Sequence, residues 1–100
     1  MITKWAGESR LVEVDFSRKL SADEVLDSAT AREIETADLT LSTPTINTEI
    51  WTIEGKAVPI GKAAFCIVQG GTAGTEYAVR IEAVTDDGQT LMRQITVRVI

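Results

Sequence analysis

The last third of the chain constrains the fold most. Tyr77-Ala-Val-Arg-Ile-Glu-Ala-Val84 alternates apolar and polar residues, Asp86-Asp-Gly88 turns the chain, and Leu91 to Ile100 alternates again. Successive side chains of a strand point to opposite faces, so this alternation marks two half-buried strands. Asp87-Gly88 between them is a strong hairpin signal, wanted for its backbone geometry. Tyr77, Val79, Ile81 and Ala83 share one inward parity, and Leu91, Ile95, Val97 and Val99 share another. Arg80, Glu82, Arg93 and Arg98 are expected on a solvated outer face. Ahead of the hairpin, Gly70-Gly-Thr-Ala-Gly-Thr75 reads as a loop in which Gly70, Gly71 and Gly74 supply positive φ. A phosphate-binding loop needs Gly-Lys-Ser/Thr running into a helix, and here Glu76-Tyr77 opens a strand instead.

Upstream, Val12, Val14 and Phe16 alternate with Leu11, Glu13 and Asp15, which predicts a strand with one core face. Ser21-Ala-Asp-Glu24 matches a helix capping box, yet the short stretch beyond it is easily overridden by sheet pairing. The expectation there is a bent loop or one helical turn running into a strand. Thr36 to Leu41 reads as a strand with Ala37, Leu39 and Leu41 on one face, ended by Ser42-Thr-Pro44. Thr45 to Ile53 reads as the next, with Trp51 and Ile53 as inward anchors. Glu54-Gly55-Lys56 is a turn, and Pro59 and Gly61 punctuate a short edge segment around Val58 and Ile60. Ala63-Ala-Phe-Cys-Ile-Val68 is apolar on both parities and too short for a typical helix, so it predicts a central strand covered on both sides. One of those sides is a candidate for contact with another subunit. Six or seven strands at short spacing predict an all-β, antiparallel sandwich. Residues 1–100 form one domain, with 1–10 as a mixed leader whose Trp5 packs either on its own domain or on a partner.

Composition narrows the function by exclusion. The 100 residues are 44% hydrophobic and 25% charged, ordinary for a folded domain. Ten basic against 15 acidic residues leave a net charge of −5, which repels phosphate backbones and argues against nucleic acid as a partner. No apolar run approaches the roughly 18 residues of a membrane span, and the first ten residues lack the apolar core of a signal peptide. There is no histidine, which removes the commonest general base and metal ligand. Cys66 is the only cysteine; it has no base beside it in sequence and sits in an apolar run that keeps a thiol protonated. Carboxylates cluster at Asp23, Glu24 and Asp27, at Glu33, Glu35 and Asp38, and at Asp86 with Asp87. Calcium is the chemistry such loop oxygens would suit, but no D-x-D-x-D spacing supports a site. No catalytic residue, metal ligand or cofactor site is predicted.

Thr75-Glu-Tyr-Ala-Val-Arg-Ile-Glu-Ala-Val84 resembles the F strand of immunoglobulin-like and fibronectin type III sandwiches. The resemblance implies that Tyr77 forms a tyrosine corner, its hydroxyl bonding backbone a few residues upstream, and that Trp51 is the core tryptophan of an earlier strand. A narrower likeness combines Ala22-Asp-Glu-Val-Leu-Asp27, Trp51-Thr-Ile, Gly-Gly-Thr-Ala-Gly-Thr-x-Tyr-x-Val, and Asp-Gly-Gln-Thr-Leu-x-Arg-x-Ile-Thr-Val-Arg-Val. In that order these motifs resemble small fiber-tail adaptor or minor virion proteins of tailed bacteriophages and prophages. The resemblance runs from Ala22 to the C-terminus, leaves residues 1–20 outside, and is poor over Ser28 to Thr48. It implies a non-enzymatic virion protein that works by contacts with other phage structural proteins, with self-association into a ring as a further expectation. The rival readings are a carbohydrate- or calcium-binding accessory module, an enzyme, and a prophage-encoded chaperone or regulator absent from the particle.

Overall fold

The hairpin forms as its alternation dictates. The computed structural model describes residues 1–100, and in it β9 (Glu76–Thr85) pairs antiparallel with β10 (Thr90–Val99), from Thr90 opposite Val84 to Arg98 opposite Glu76. The other strands in chain order are β1 (Ile2–Lys4), β2 (Arg10–Asp15), β3 (Leu26–Ile34), β4 (Leu39–Leu41), β5 (Thr45–Ile46), β6 (Trp51–Ile53), β7 (Lys56–Val58) and β8 (Ala63–Gly70). One sheet has the order β1-β10-β9-β3 and the other β2-β8-β4, with β5 also on β8. Taken as strands B to G, β2, β8 and β4 reproduce the B-E-D order of an immunoglobulin-like sandwich, and β10, β9 and β3 its G-F-C order. The fold is all-β and sandwich-like, as expected. β6 and β7 form a separate two-stranded hairpin inserted ahead of β8.

Between the sheets lie 14 buried residues, among them Val12, Val14 and Phe16 from one side and Tyr77, Val79 and Ile81 from the other. Burial of this apolar surface is the main force joining the layers. Tyr77 stands at the corner between β8 and β9. Its hydroxyl accepts from the Thr72 N–H at 2.7 Å and donates to Asp38 Oδ2 at 3.1 Å, so the tyrosine corner is present. Gly71 is held against that ring at φ 95°, where an added Cβ would lie 2.9 Å from Val99 Cγ2 and 3.1 Å from Tyr77 Cε2.

Several expectations are corrected. Ten strands occur where about seven were expected, because the stretch 45–53 is split into β5 and β6, the leader contributes β1, and β3 is a full strand of its own. β1 runs parallel to β10, an exception in an otherwise antiparallel arrangement. As expected, the chain turns after Ser21 and runs into a strand, the nine-residue β3, although its Ala, Arg and Glu residues favour a helix. Pairing along β9 from Ser28 to Ile34 overrides that preference. The capping-box contact does form, with the Ser21 N–H donating to Glu24 Oε1 at 3.0 Å and the Glu24 N–H to the Ser21 carbonyl at 3.1 Å. It closes a turn, since the chain is then taken up by the sheet. The expected strand at 36–41 begins only at Leu39; the Glu33 carboxylate accepts from the Asp38 and Leu39 N–H groups and shapes the crossing before it. Arg93 shares the inward parity of Leu91 and Ile95, contrary to expectation, and escapes burial at the open side of the sandwich.

Asn47 fastens the inserted hairpin to the sandwich. Its side chain is 2% exposed. The Oδ1 accepts from the Lys62 and Ala63 N–H groups at 3.1 and 3.0 Å, and Nδ2 donates to the carbonyls of Glu49 and Pro59, each at 2.9 Å. Lys62, also buried, sends its ammonium to the carbonyls of Ser21 and Ala22 at 2.7 and 3.2 Å. Leaving a buried donor or acceptor unpaired costs about 1–3 kcal/mol. Asn47→Leu, which keeps the volume and removes the bonds, is therefore expected to lower the unfolding free energy by about 3 kcal/mol or more in urea titration. In the glycine loop, Gly74 has φ 87° but open space around it. Gly71→Ala is expected to cost about 1–3 kcal/mol more than Gly74→Ala by the same measurement, because it adds a clash to the shared backbone strain.

Candidate docking surface

The structure brings together only some of the residues singled out in sequence. Gly70, Gly71, Gly74 and Tyr77 meet at the β8–β9 corner. Asp87 and Gly88 lie in the β9–β10 turn, and Trp51 is elsewhere, on the inserted hairpin. All the glycines named, Gly70, Gly71, Gly74 and Gly88, have positive φ. In the β9–β10 turn the Gly88 N–H donates to the Thr85 carbonyl at 3.1 Å and the Gln89 N–H to Thr85 Oγ1 at 2.9 Å. The Thr85 hydroxyl bonds the Asp87 carboxylate and, with a lesser contribution from Glu24, holds it below the usual carboxylate range. No three His, Cys, Asp or Glu residues are grouped so as to hold a metal ion. Cys66 is buried in the core, and desolvation pushes its thiol up, where it is a poor nucleophile. These groups build turns and core.

Trp51 departs from the expected role. Strand C of the immunoglobulin-like frame is β3, and it carries no tryptophan. Trp51 belongs to β6, outside the core cluster and only half-buried. Its ring packs on Phe65 with centroids 4.3 Å apart and planes tilted by 36°. Phe65 is on the parity of β8 opposite to the buried Ala64, Cys66 and Val68, so this contact lies on the outside of the β2-β8-β4 sheet.

That outward face carries an apolar stripe flanked by the polar Glu13, Asp15, Thr40 and Gln69. Leu11 lies directly opposite Ile67, and Phe65, two residues before Ile67 on the same side, lies opposite Glu13. Leu11 is 42% exposed, while Phe65 and Ile67 are half-buried. At the start of β8, Ala63 is fully buried yet outside the core cluster, covered from the side where the β6–β7 hairpin lies. The hairpin therefore shields one end of this face and leaves the Ile67 end open. The outward face of the other sheet contrasts with it. Glu76, Arg80, Glu82, Arg32, Gln94 and Arg98 occupy it, with Met92 and Val84 as exposed and Ala78 and Ile34 as half-buried apolar exceptions. A solvated sheet face carries such charges; an apolar one marks a contact site. The two-sided apolar run of β8 was the sequence signal for this surface. Leu11 escaped notice because its parity opposes the Val12, Val14 and Phe16 core face.

Trp5 adds a second exposed aromatic. It is 63% exposed and does not pack on its own domain, as one of the two readings required. A tight turn presents it: the Glu8 N–H donates to the Trp5 carbonyl at 3.0 Å and the Trp5 N–H to Glu8 Oε1 at 2.6 Å. The ammonium of buried Lys4 donates to the carbonyls of Trp5 and Ala6 at 2.8 and 3.3 Å. A rigid, exposed indole is a typical anchor of protein interfaces.

No helix is long and apolar enough to cross a membrane. Comparison with curated proteins finds no match. Against family models, residues 4–98 match the one described as Podophage GP4 fiber-tail adaptor protein gp77. The match takes in most of the N-terminal region and the whole of Ser28 to Thr48, both of which the motif resemblance had left apart. The chain belongs to this family of phage fiber-tail adaptor proteins.

Proposed function

We propose that the chain is a non-enzymatic component of the virion that joins tail and fiber parts through protein–protein contacts. Its membership of the fiber-tail adaptor family supports a structural role. The apolar outward face of the β2-β8-β4 sheet supports contact as the mode of action, since Leu11, Phe65, Ile67 and Trp51 stand where a lone sandwich would carry polar residues. The partner is another phage structural protein with an apolar surface that covers this stripe. Buried aromatic and aliphatic anchors carry most of the energy of such interfaces. The calcium- or carbohydrate-binding alternative draws no support from Glu33, Asp38, Asp86 and Asp87, each of which is bonded within the chain.

Pull-down of purified tail and fiber proteins of the same phage tests the proposal. Ile67→Glu is expected to weaken capture at least tenfold, the loss of about 1.4 kcal/mol or more, with the melting temperature shifted by only a few degrees. Val84→Glu, on the opposite sheet, is expected to leave capture unchanged. Equal loss from both substitutions, or from neither, contradicts docking on this face. Light scattering on the purified protein reads the alternative in which a second copy covers the stripe.

A further inference from the structure

The free edge of β2 offers a second mode of contact on the same sheet. The Phe16 N–H donates to the Lys62 carbonyl at 2.9 Å, and Phe16 and Lys62 continue the register that sets Asp15 opposite Ala63. In antiparallel pairing, hydrogen-bonded pairs recur every second residue. Val14, Val12 and Arg10 therefore bond to β8. The N–H and C=O groups of Leu11, Glu13 and Asp15 point away from it, and no neighbouring strand of the sheet lies there. None of the turn and loop bonds engages these three residues' backbone groups.

A groove of about 170 Å³ runs against this edge. Both parities of β2 line it, Val12 and Val14 as well as Glu13 and Asp15, so it lies along the backbone and not on one face of the strand. Ile2 and Ile95 of the other sheet form an apolar wall, and Glu54 and Arg93 flank it. A cavity of about 150 Å³ accepts a benzene ring, so the groove has room for one apolar side chain. Its charged groups are Glu13, Asp15, Glu54 and Arg93, three carboxylates against one guanidinium. Arg93 also lines an adjoining hollow with Arg18, Lys56, Asp15 and Glu54, so the three cations gather at the Asp15–Glu54 end and Glu13 is the one carboxylate of the groove outside that hollow. Near the other end of β2, Arg10 Nη1 donates to the Thr3 carbonyl at 3.1 Å and bridges to β1, leaving the stretch from Leu11 to Asp15 as the open edge.

We propose that an extended segment of the partner structural protein adds to β2 as a further strand. Its backbone pairs with Leu11, Glu13 and Asp15, an apolar side chain enters the groove beside Val12 and Val14, and a lysine or arginine faces Glu13. Strand addition takes affinity from main-chain bonds and specificity from alternate side chains, and the edge supplies both. This rests on the adaptor reading and names how the partner is held. A second copy of this chain is disfavoured in the register that pairs the whole open edge. The two-fold pairing centred on Glu13 sets the two Glu13 carboxylates face to face, and like charges directly opposite are destabilising.

Hydrogen exchange compares the purified protein with the same chain in purified phage particles. The amides of Leu11, Glu13 and Asp15 are expected to exchange freely in the isolated protein and at least tenfold more slowly in the particle. Glu13→Pro removes an edge N–H without touching the β2–β8 bonds, a place where proline is tolerated. It and Glu13→Lys are expected to reduce incorporation at least tenfold while the β2–β8 amides stay protected. Presence in the particle with these three amides as fast as in solution overturns strand addition and leaves the adaptor reading intact. Unchanged incorporation of Glu13→Lys overturns it too, making Glu13 only a guard against edge aggregation. Protection of the three amides in a dimer of the isolated protein assigns the edge to a second copy and overturns the proposal. Absence of the chain from the particle overturns the adaptor reading itself.

Discussion

One carboxamide holds the docking surface in place. Asn47 binds two N–H groups where β8 begins and two carbonyls of the segments that flank the β6–β7 hairpin. The Lys62 and Ala63 N–H groups would otherwise be buried without a partner, at a cost comparable to a sizeable share of a small domain's stability. The hairpin and its flanks, residues 47–62, are an addition to the immunoglobulin-like frame, and two of their apolar residues, Ile50 and Ile60, stay exposed. Fixed by Asn47, the hairpin can set Trp51 on Phe65 and close one end of the outer face of β8. The other end stays open at Ile67 and Leu11.

The two faces of the β2-β8-β4 sheet do different work. The inner one contributes Val12, Val14, Ala64, Cys66 and Val68 to the core. The outer one adds none of its side chains to that core, which leaves its Leu11–Ile67 end available to a partner. Buried lysines reinforce the separation of roles. Lys62 and Lys4 use their ammonium groups on loop carbonyls, which stiffens the Ser21–Ala22 turn and the turn that displays Trp5. Pre-ordered display lowers the entropy lost on association.

Much of the fold was legible in strict alternation. β9, β10 and β2 follow the period-two pattern, and the Tyr77 corner was implied by the resemblance of Thr75 to Val84 to an immunoglobulin-like F strand. What escaped was set by distant contacts. A strand after the Ser21 turn was expected, but its nine-residue extent was not, because pairing along β9 sets it. Asn47 sits among Thr, Glu and Ile residues with nothing local to mark it as a buried hub. Trp51 looked like a core residue because large aromatics usually are, and the inserted hairpin that carries it outside has no signature beyond the Glu54-Gly55 turn. Arg93 keeps the parity of a core position, so alternation alone assigned it wrongly. The docking surface was half visible: the apolar run from Ala63 to Val68 announced a strand covered on both sides, and the structure leaves part of its second side uncovered.

Hydroxyl-radical footprinting of the protein alone and in purified phage particles tests the central claim most directly, because it reads side-chain exposure residue by residue. The account predicts that Leu11, Phe65, Ile67 and Trp51 lose reactivity in the particle while Met92, exposed on the opposite sheet, keeps it. Undiminished reactivity of the four together with protection of Met92 would contradict it.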